Sequence, residues 1–276
     1  MTFVAKFKKR FYFVAARYFR FFANFALKRW RPRVIAVTGS AGKTTLLHLL
    51  EFELGDRAHY SHDANSAFGI AFDLLGMQGI RGSKLRWLRL IFEAPVKSLY
   101  YRHHEKFYVV EIDGERPHET EFLATWLQPE VTLWVSFGLS HAVQFEHEVA
   151  VGKFASLDQA IAHEFATLPQ NTKKRVYIDA DSEIMRQATA GIRAEVIPKS
   201  RHDLKRYSVY PTRTDFVFDG TSFHFYEPQP RDLAIQLLML EDLTHYLKIP
   251  LKTDFRGLKV PPGRSSYFKG KNGLNL

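Results

Sequence analysis

The chain has 276 residues, enough to bury a substantial core in one domain or two. It contains no cysteine, which excludes disulfides and thiolate metal sites and fits a cytoplasmic protein. The formal net charge is +10, but residues 1–33 hold ten of the 39 bases and no acid, so the remaining 29 bases balance 29 acids and the body of the chain is formally neutral.

That N-terminal arm also holds 11 aromatic residues. Phe7, Phe11, Val14, Tyr18, Phe21, Phe22 and Phe25 recur at helical spacing on one face, and Lys6, Lys9, Arg10, Arg17 and Arg20 fall mostly on the other. A membrane-spanning helix needs ~20 apolar residues. Here the longest uncharged stretch after Thr2 runs only from Phe21 to Leu27, which argues equally against a secretory signal peptide. The pattern suits a helix lying in the plane of an anionic membrane surface, peripheral at its inner face. A helix packed on the protein's own body or on a partner is the plainer reading, and nucleic acid is the least favoured partner.

Next comes Val34-Ile-Ala-Val-Thr-Gly-Ser-Ala-Gly-Lys-Thr-Thr45, an apolar strand running through a glycine-bounded turn into a helix that continues with Leu46, Leu47, Leu49 and Leu50. Gly39 and Gly42 let the backbone N–H groups of Ser40, Ala41 and their neighbours line a concavity, and the helix start adds positive potential. Lys43 can reach terminal phosphates and the Thr44 hydroxyl can ligate Mg²⁺, with Thr45 completing the turn. The alternative, an ordinary strand–turn–helix, explains the glycines less well than a nucleoside triphosphate does.

Further strands are expected at 107–112, 131–136, 175–179 and 194–197, separated by helical patterns at 43–54, 117–127 and 156–167. This alternation implies an α/β fold, a P-loop-type, mostly parallel sheet flanked by helices. Phe216 to Phe225 reads as a small antiparallel hairpin turning at Asp219-Gly220, and a helix follows from about Arg231 to Leu247. Residues 78–106 form a basic helical insertion, read as a solvated face or a surface for an acidic substrate. The expected organisation is an amphipathic helical arm at 1–33 and one ATP-binding domain at 34–276.

The compressed loop Thr38-Gly39-Ser40-Ala41-Gly42-Lys43-Thr44-Thr45 lacks the usual leading glycine, having Val37 there, and in this it resembles the Mur ligases, ATP-dependent enzymes that join an amino acid or dipeptide to a carboxylate. Asn65-Ser-Ala-Phe-Gly-Ile70 is similar to the family's Asn-x-x-x-Gly loop, and Val109-Val-Glu-Ile112 to the strand ending in a metal-binding Glu. Gly138-Leu-Ser-His141 is similar to the Gly-x-Ala-His segment. Pro261-Pro-Gly-Arg264, with the following Lys269-Gly270-Lys271, resembles the end of the central domain in the D-alanyl-D-alanine-adding member.

The resemblance implies ATP and Mg²⁺ as cofactors. It gives Lys43 to the β/γ phosphates, Thr44 and Glu111 to the first Mg²⁺, His141 to a second, Asn65 to the phosphate surroundings and Arg264 to the ATP phosphates. Each has a plainer alternative: Glu111 as a surface acid at a strand end, His141 as an ordinary hydrogen-bonded histidine, Asn65 as a turn or cap residue, Arg264 as an exposed loop arginine. The implied reaction activates a carboxylate acceptor of the UDP-muramoyl-peptide kind as an acyl phosphate, which an amino acid or dipeptide amine then converts to an amide, in peptidoglycan precursor synthesis.

The departures set the competing expectations. Val135-Ser136 stands where the family carries Thr-Asn. The family's metal-binding lysine is missing from Ala160-Ile-Ala-His-Glu-Phe165, and Lys153 lies too early to replace it. Arg231-Asp-Leu-Ala234 replaces the Asn-bearing helix near the base. At Asn272-Gly-Leu-Asn-Leu276 the family would continue into an Asp-rich strand and an amine-binding domain, so the C-terminal domain is expected to be absent. These features leave three readings: a Mur-type ligase or its front portion, a degenerate membrane-associated nucleotide-binding protein without ligase activity, or a ligase for another acceptor such as a folate or a polypeptide. The histidines at 62, 103, 104, 118, 147 and 163 show no metal spacing along the chain.

Overall fold

The computed structural model describes residues 3–62, 64–79, 84–114, 116–139 and 142–258. Six parallel strands, β1 (Arg33–Thr38), β2 (Ala58–Tyr60), β3 (Phe107–Glu111), β4 (Val131–Trp134), β5 (Arg175–Asp179) and β6 (Glu195–Lys199), form one sheet in the order β2-β3-β1-β4-β5-β6. β1 lies between β3, where Val37 pairs beside Glu111, and β4, where Thr38 pairs beside Trp134. The winding direction reverses at β1, so a crevice opens at the carboxyl ends of β1, β3 and β4.

Near-continuous apolar runs make the four inner strands β1, β3, β4 and β5 buried on both faces, as parallel strands covered by helices must be. One face sets Ile35, Val37, Val109 and Leu133 against α2 (Lys43–Leu54) and α9 (Leu233–Leu247). α2 buries a wide apolar face: Leu46, Leu47, Leu49 and Leu50 are all fully buried, while Thr44, His48 and Glu51 lie on its partly exposed side. The other face sets Val34, Ala36, Tyr108 and Val110 against α1 (Phe3–Trp30), α3 (Ala67–Leu74), α4 (Lys84–Tyr100) and α5 (Glu119–Leu127). Trp134, Val176 and Ile178 are covered by α6 (Glu146–Ala150), α7 (Leu157–Gln170) and α8 (Glu183–Ala188). A second, antiparallel sheet, β7 (Arg206–Tyr210), β8 (Arg213–Val217) and β9 (Ser222–Phe225), packs Phe216, Phe223 and Phe225 into the α2/α9 core.

The α/β architecture and the order of its long elements match the expectation, with three differences. β2 spans only three residues, too few for alternation to register, and α3 fills what reads in sequence as a loop motif. The hairpin at 216–225 gains a third strand, β7, whose largely exposed side chains carry no alternating signal.

α1 packs on the body of the protein. Its buried residues are Ala16, Phe19, Ala23 and Ala26, whereas Val14, Phe21 and Phe25 from the proposed aromatic stripe are exposed. The three alanines are the physical reason: small side chains let α1 seat closely against α3 and α4, which aromatic spacing alone does not reveal. Tyr12 donates to the buried Glu119 carboxylate, Tyr18 donates to the Ile91 carbonyl (2.7 Å), and Arg29 donates to the Ser98 carbonyl (2.8 Å). α4 is correspondingly two-sided, with Leu90 and Ala94 buried and Phe92 and Leu99 exposed. Among the described residues no helix is long and apolar enough to cross a membrane.

Candidate nucleotide-binding and active site

Backbone geometry explains both loop glycines. Gly39 has φ +139°, and a Cβ there would lie 2.9 Å from the backbone N and O of Ser136 and from Val135 Cγ2. Gly42 has φ +81° at the N-cap of α2, and its Cβ would fall 2.5 Å from Gln236 Nε2. Only glycine allows the left-handed turn and the close approach together. With no side chain to cap it, α2 offers its first turn of N–H groups, which intrahelical bonding leaves over, to an anion.

The loop is braced from β4's exit. Ser40 N–H donates to the Ser136 carbonyl (3.3 Å), and Ser40 Oγ donates to the Gly138 carbonyl (2.8 Å). Ser136 Oγ accepts from Ala41 N–H and donates to the Ala41 carbonyl, both at 2.8 Å. Ser136, at the position of the family's asparagine, thus serves the loop backbone.

The functional side chains converge at the carboxyl ends of β1 and β3. Lys43 is buried, donates from Nζ to the Gly39 carbonyl, and lies 3.2 Å from Asp113 Oδ1. Thr44 Oγ1 donates to Glu111 Oε2 at 2.9 Å. Asn65 donates from Nδ2 to Asp113 Oδ2 (3.4 Å), and its carbonyl accepts from Asp113 N–H (3.2 Å). Ser66, not Asn65, caps α3, through Gly69 N–H. The fold therefore brings Gly39 through Thr45, Asn65 and Glu111 into one site. His141 and Arg264 lie outside the described residues.

Two further residues join the site that sequence reasoning did not single out. Asp113 lies two residues beyond Glu111, the spacing that returns a side chain to the same side of an extended chain; that alternation was the available signal. Gln236, in the first turn of α9, rests against Gly42, and its Oε1 is buried without a hydrogen-bond partner. Nothing local in the sequence marks it, because the contact is made by a helix nearly 200 residues away in the chain.

The donor chemistry fits the implied ligands. A threonine hydroxyl and a carboxylate 2.9 Å apart, with a second carboxylate nearby, are hard oxygen donors suited to Mg²⁺. A buried lysine beside an uncapped helix start suits phosphate oxygens.

The region of the absent family lysine has a different task. On α7, the Glu164 carboxylate accepts from the N–H groups of His118 (2.8 Å) and Thr120 (2.7 Å), closing the start of α5. Burial raises its pKa, while these bonds pull the other way. Lys153 is engaged with Glu148 at 3.2 Å. Folding also assembles two groups with ligand atoms close enough for a metal, His48/Glu51/His62 and His59/His103/Glu105, although the spacing along the chain shows no such cluster.

No family model and no curated protein matches the sequence. Solved structures do. The MurF ligase of Thermotoga maritima in complex with ADP superposes with a TM-score of 0.67 at 18% identity, over 93% of this chain and 55% of that one. MurF from Acinetobacter baumannii gives 0.64 at 15% identity, over 92% and 52%. An FPGS–AMPPCP complex gives 0.51 at 13% identity, over 86% and 65%. The chain thus spans about half the length of the MurF structures, and its fold is the one they share, that of the Mur-type ligases.

Proposed function

We propose that the chain is an ATP-dependent amide ligase of the Mur type, or the nucleotide-binding portion of one. The observation that carries this reading is the Thr44–Glu111 hydrogen bond of 2.9 Å set beside Lys43 and Asp113 at the mouth of the P-loop. The ADP and AMPPCP complexes among its structural neighbours support a nucleotide in this crevice.

In this reading the start of α2 and Lys43 hold the β and γ phosphates, Lys43 exchanging the Gly39 carbonyl for phosphate oxygens. Thr44 and Glu111 would hold Mg²⁺, which supplies charge neutralisation when bound with ATP. A carboxylate oxygen of the acceptor attacks the γ-phosphorus, the bond to the bridging oxygen breaks, and ADP leaves. The incoming amine then attacks the acyl carbon, phosphate departs and the amine proton is lost to solvent or a base. A UDP-muramoyl-peptide-like acceptor and an amino acid or dipeptide are the substrates that the Mur resemblance supports, and in this reading the reaction belongs to peptidoglycan precursor synthesis on the cytoplasmic side. His141 and Arg264 enter as proposals from their sequence motifs alone.

A second reading, a nucleotide-binding protein without ligase activity, draws on α7, where Glu164 is committed to the start of α5 and no lysine is available for a second metal. Phosphate release from Mg-ATP, assayed with a UDP-muramoyl peptide and D-alanyl-D-alanine together and singly, separates the two. Release that needs both substrates supports the ligase. Nucleotide binding without such release rules out a ligase complete in these residues and supports the second reading, and no nucleotide binding overturns both.

A further inference from the structure

Among the described residues, nine of the fifteen exposed large apolar side chains lie on α1 and α4. Phe21 and Phe25 project from α1 and Leu88, Phe92, Val96 and Leu99 from α4, each half or more exposed. The two helices are neighbours, and Tyr18, one turn from Val14 and from Phe21, donates to the carbonyl of Ile91, which lies between Leu88 and Phe92 in the chain. The ridges therefore flank one seam. Apolar exposure gathered in this way marks an interaction site more than scattered surface residues do.

The charge around the seam is predominantly positive. No acid precedes Glu51 in the sequence, and the single acid of α4, Glu93, faces Arg89 at 3.4 Å. On the flank of α1 away from α4, a cleft of about 560 Å³ is lined by Arg17, Arg20, Phe21, Asn24, Lys28 and Trp126. Arg17, Arg20 and Lys28 have no carboxylate partner among the described residues. Arg20 lies with its guanidinium 4.8 Å from the Phe122 ring and donates to the Phe122 carbonyl, and burial and the neighbouring Arg17 both lower its pKa. Trp126 is more than nine-tenths buried, and its indole Nε1 has no hydrogen-bond partner. Three cations without a carboxylate partner, in a mostly polar cleft beside Phe21 and the exposed apolar ridges, call for an anion carried on an apolar body.

We infer that the α1/α4 face docks in the plane of an anionic phospholipid bilayer, with Phe21, Phe25, Leu88, Phe92, Val96 and Leu99 in the acyl–headgroup boundary and the Arg17/Arg20/Lys28 cleft receiving a lipid phosphate. Side chains of this kind enter the interface without a span, and each nearby base adds attraction to anionic lipid. The inference is independent of the ligase reading, because neither helix supplies a residue to the nucleotide site.

The test is flotation of the full chain, without nucleotide, on vesicles of phosphatidylcholine alone and of an equal mixture of phosphatidylcholine and phosphatidylglycerol. Binding is expected on the mixed vesicles, with little on the neutral ones and weakening as salt is raised. The pair Phe21→Ser with Phe92→Ser, both at exposed positions, should reduce binding at least about tenfold with an unchanged melting temperature. The pair Arg17→Gln with Lys28→Gln should remove the preference for the anionic vesicles. No binding to mixed vesicles, or binding untouched by both pairs, overturns the inference. So does self-association abolished by Phe92→Ser, or capture of a single-stranded oligonucleotide, in place of vesicle binding; these would assign the face to a second copy or to nucleic acid.

Discussion

Ser136 Oγ bonds both the N–H and the carbonyl of Ala41, each at 2.8 Å, so one hydroxyl at the exit of β4 fixes both backbone polar groups of a residue at the centre of the P-loop. Together with the Ser40 N–H bond to the Ser136 carbonyl, it ties the loop to the strand beside β1. The loop conformation is thus set by its neighbours before any phosphate arrives.

Ser136→Ala is expected to weaken nucleotide binding by about tenfold while costing only ~1 kcal/mol of stability, the net worth of an ordinary hydrogen bond. Calorimetric titration with ADP alongside thermal melting measures both. Equal affinity in the two proteins would mean the loop holds its shape without this brace.

Glu111→Gln keeps the size of the side chain but removes a charge that Mg²⁺ would use. Binding of ATP in the presence of Mg²⁺ should fall toward the level seen with chelator, and binding in chelator should change little. Lys43→Ala should instead lose about 10- to 150-fold in both conditions, because a charge-assisted hydrogen bond is worth about 1.5–3 kcal/mol. Mg²⁺ dependence left intact in Glu111→Gln would remove Glu111 from the metal site.

Much of the fold and the phosphate end of the site was legible in sequence because both rest on local patterns. β1, the loop and α2 form one contiguous strand–turn–helix, and Glu111 stands out because Val109-Val-Glu-Ile112 resembles the family's strand ending in a metal-binding Glu. The rest depended on contacts between distant segments. Ser136 and Gln236 act on the loop from ~95 and ~190 residues away, a distance no spacing rule covers. Which stripe of α1 is buried was not legible for the same reason: it depends on the alanines meeting α3 and α4, not on aromatic periodicity.

Gly42→Ala separates backbone strain from crowding. The left-handed φ of +81° penalises any Cβ, by roughly 1–2 kcal/mol, and Gln236 Nε2 at 2.5 Å adds a steric cost. Combining Gly42→Ala with Gln236→Ala should recover only the steric share. A double variant as stable as Gln236→Ala alone would show that the loop relaxes and that the glycine is not required by its φ.

Glu53 gives the pH dependence with the clearest sign. It lies in the last turn of α2, is almost fully buried, and accepts from Lys252 N–H at 3.1–3.2 Å, joining the helix that follows the P-loop to the segment beyond α9. Burial raises its pKa to about 7, against the lowering effect of the Lys252 bond and charge. The folded chain therefore retains a proton that the unfolded chain loses near pH 4.5. Glu53's contribution is fully present below that pH, declines as pH rises through about 7, and is a constant penalty above it. Glu53→Gln keeps an acceptor for Lys252 N–H and removes the titration. Its stability relative to the parent should rise between pH 5 and pH 8 by at most ~3 kcal/mol, a difference of several degrees in melting temperature. A stability difference that does not change with pH would mean the carboxylate is better solvated than its burial implies. One that shrinks as pH rises would mean Lys252 outweighs desolvation and that the ionised form is what holds α2 to the chain's later segment.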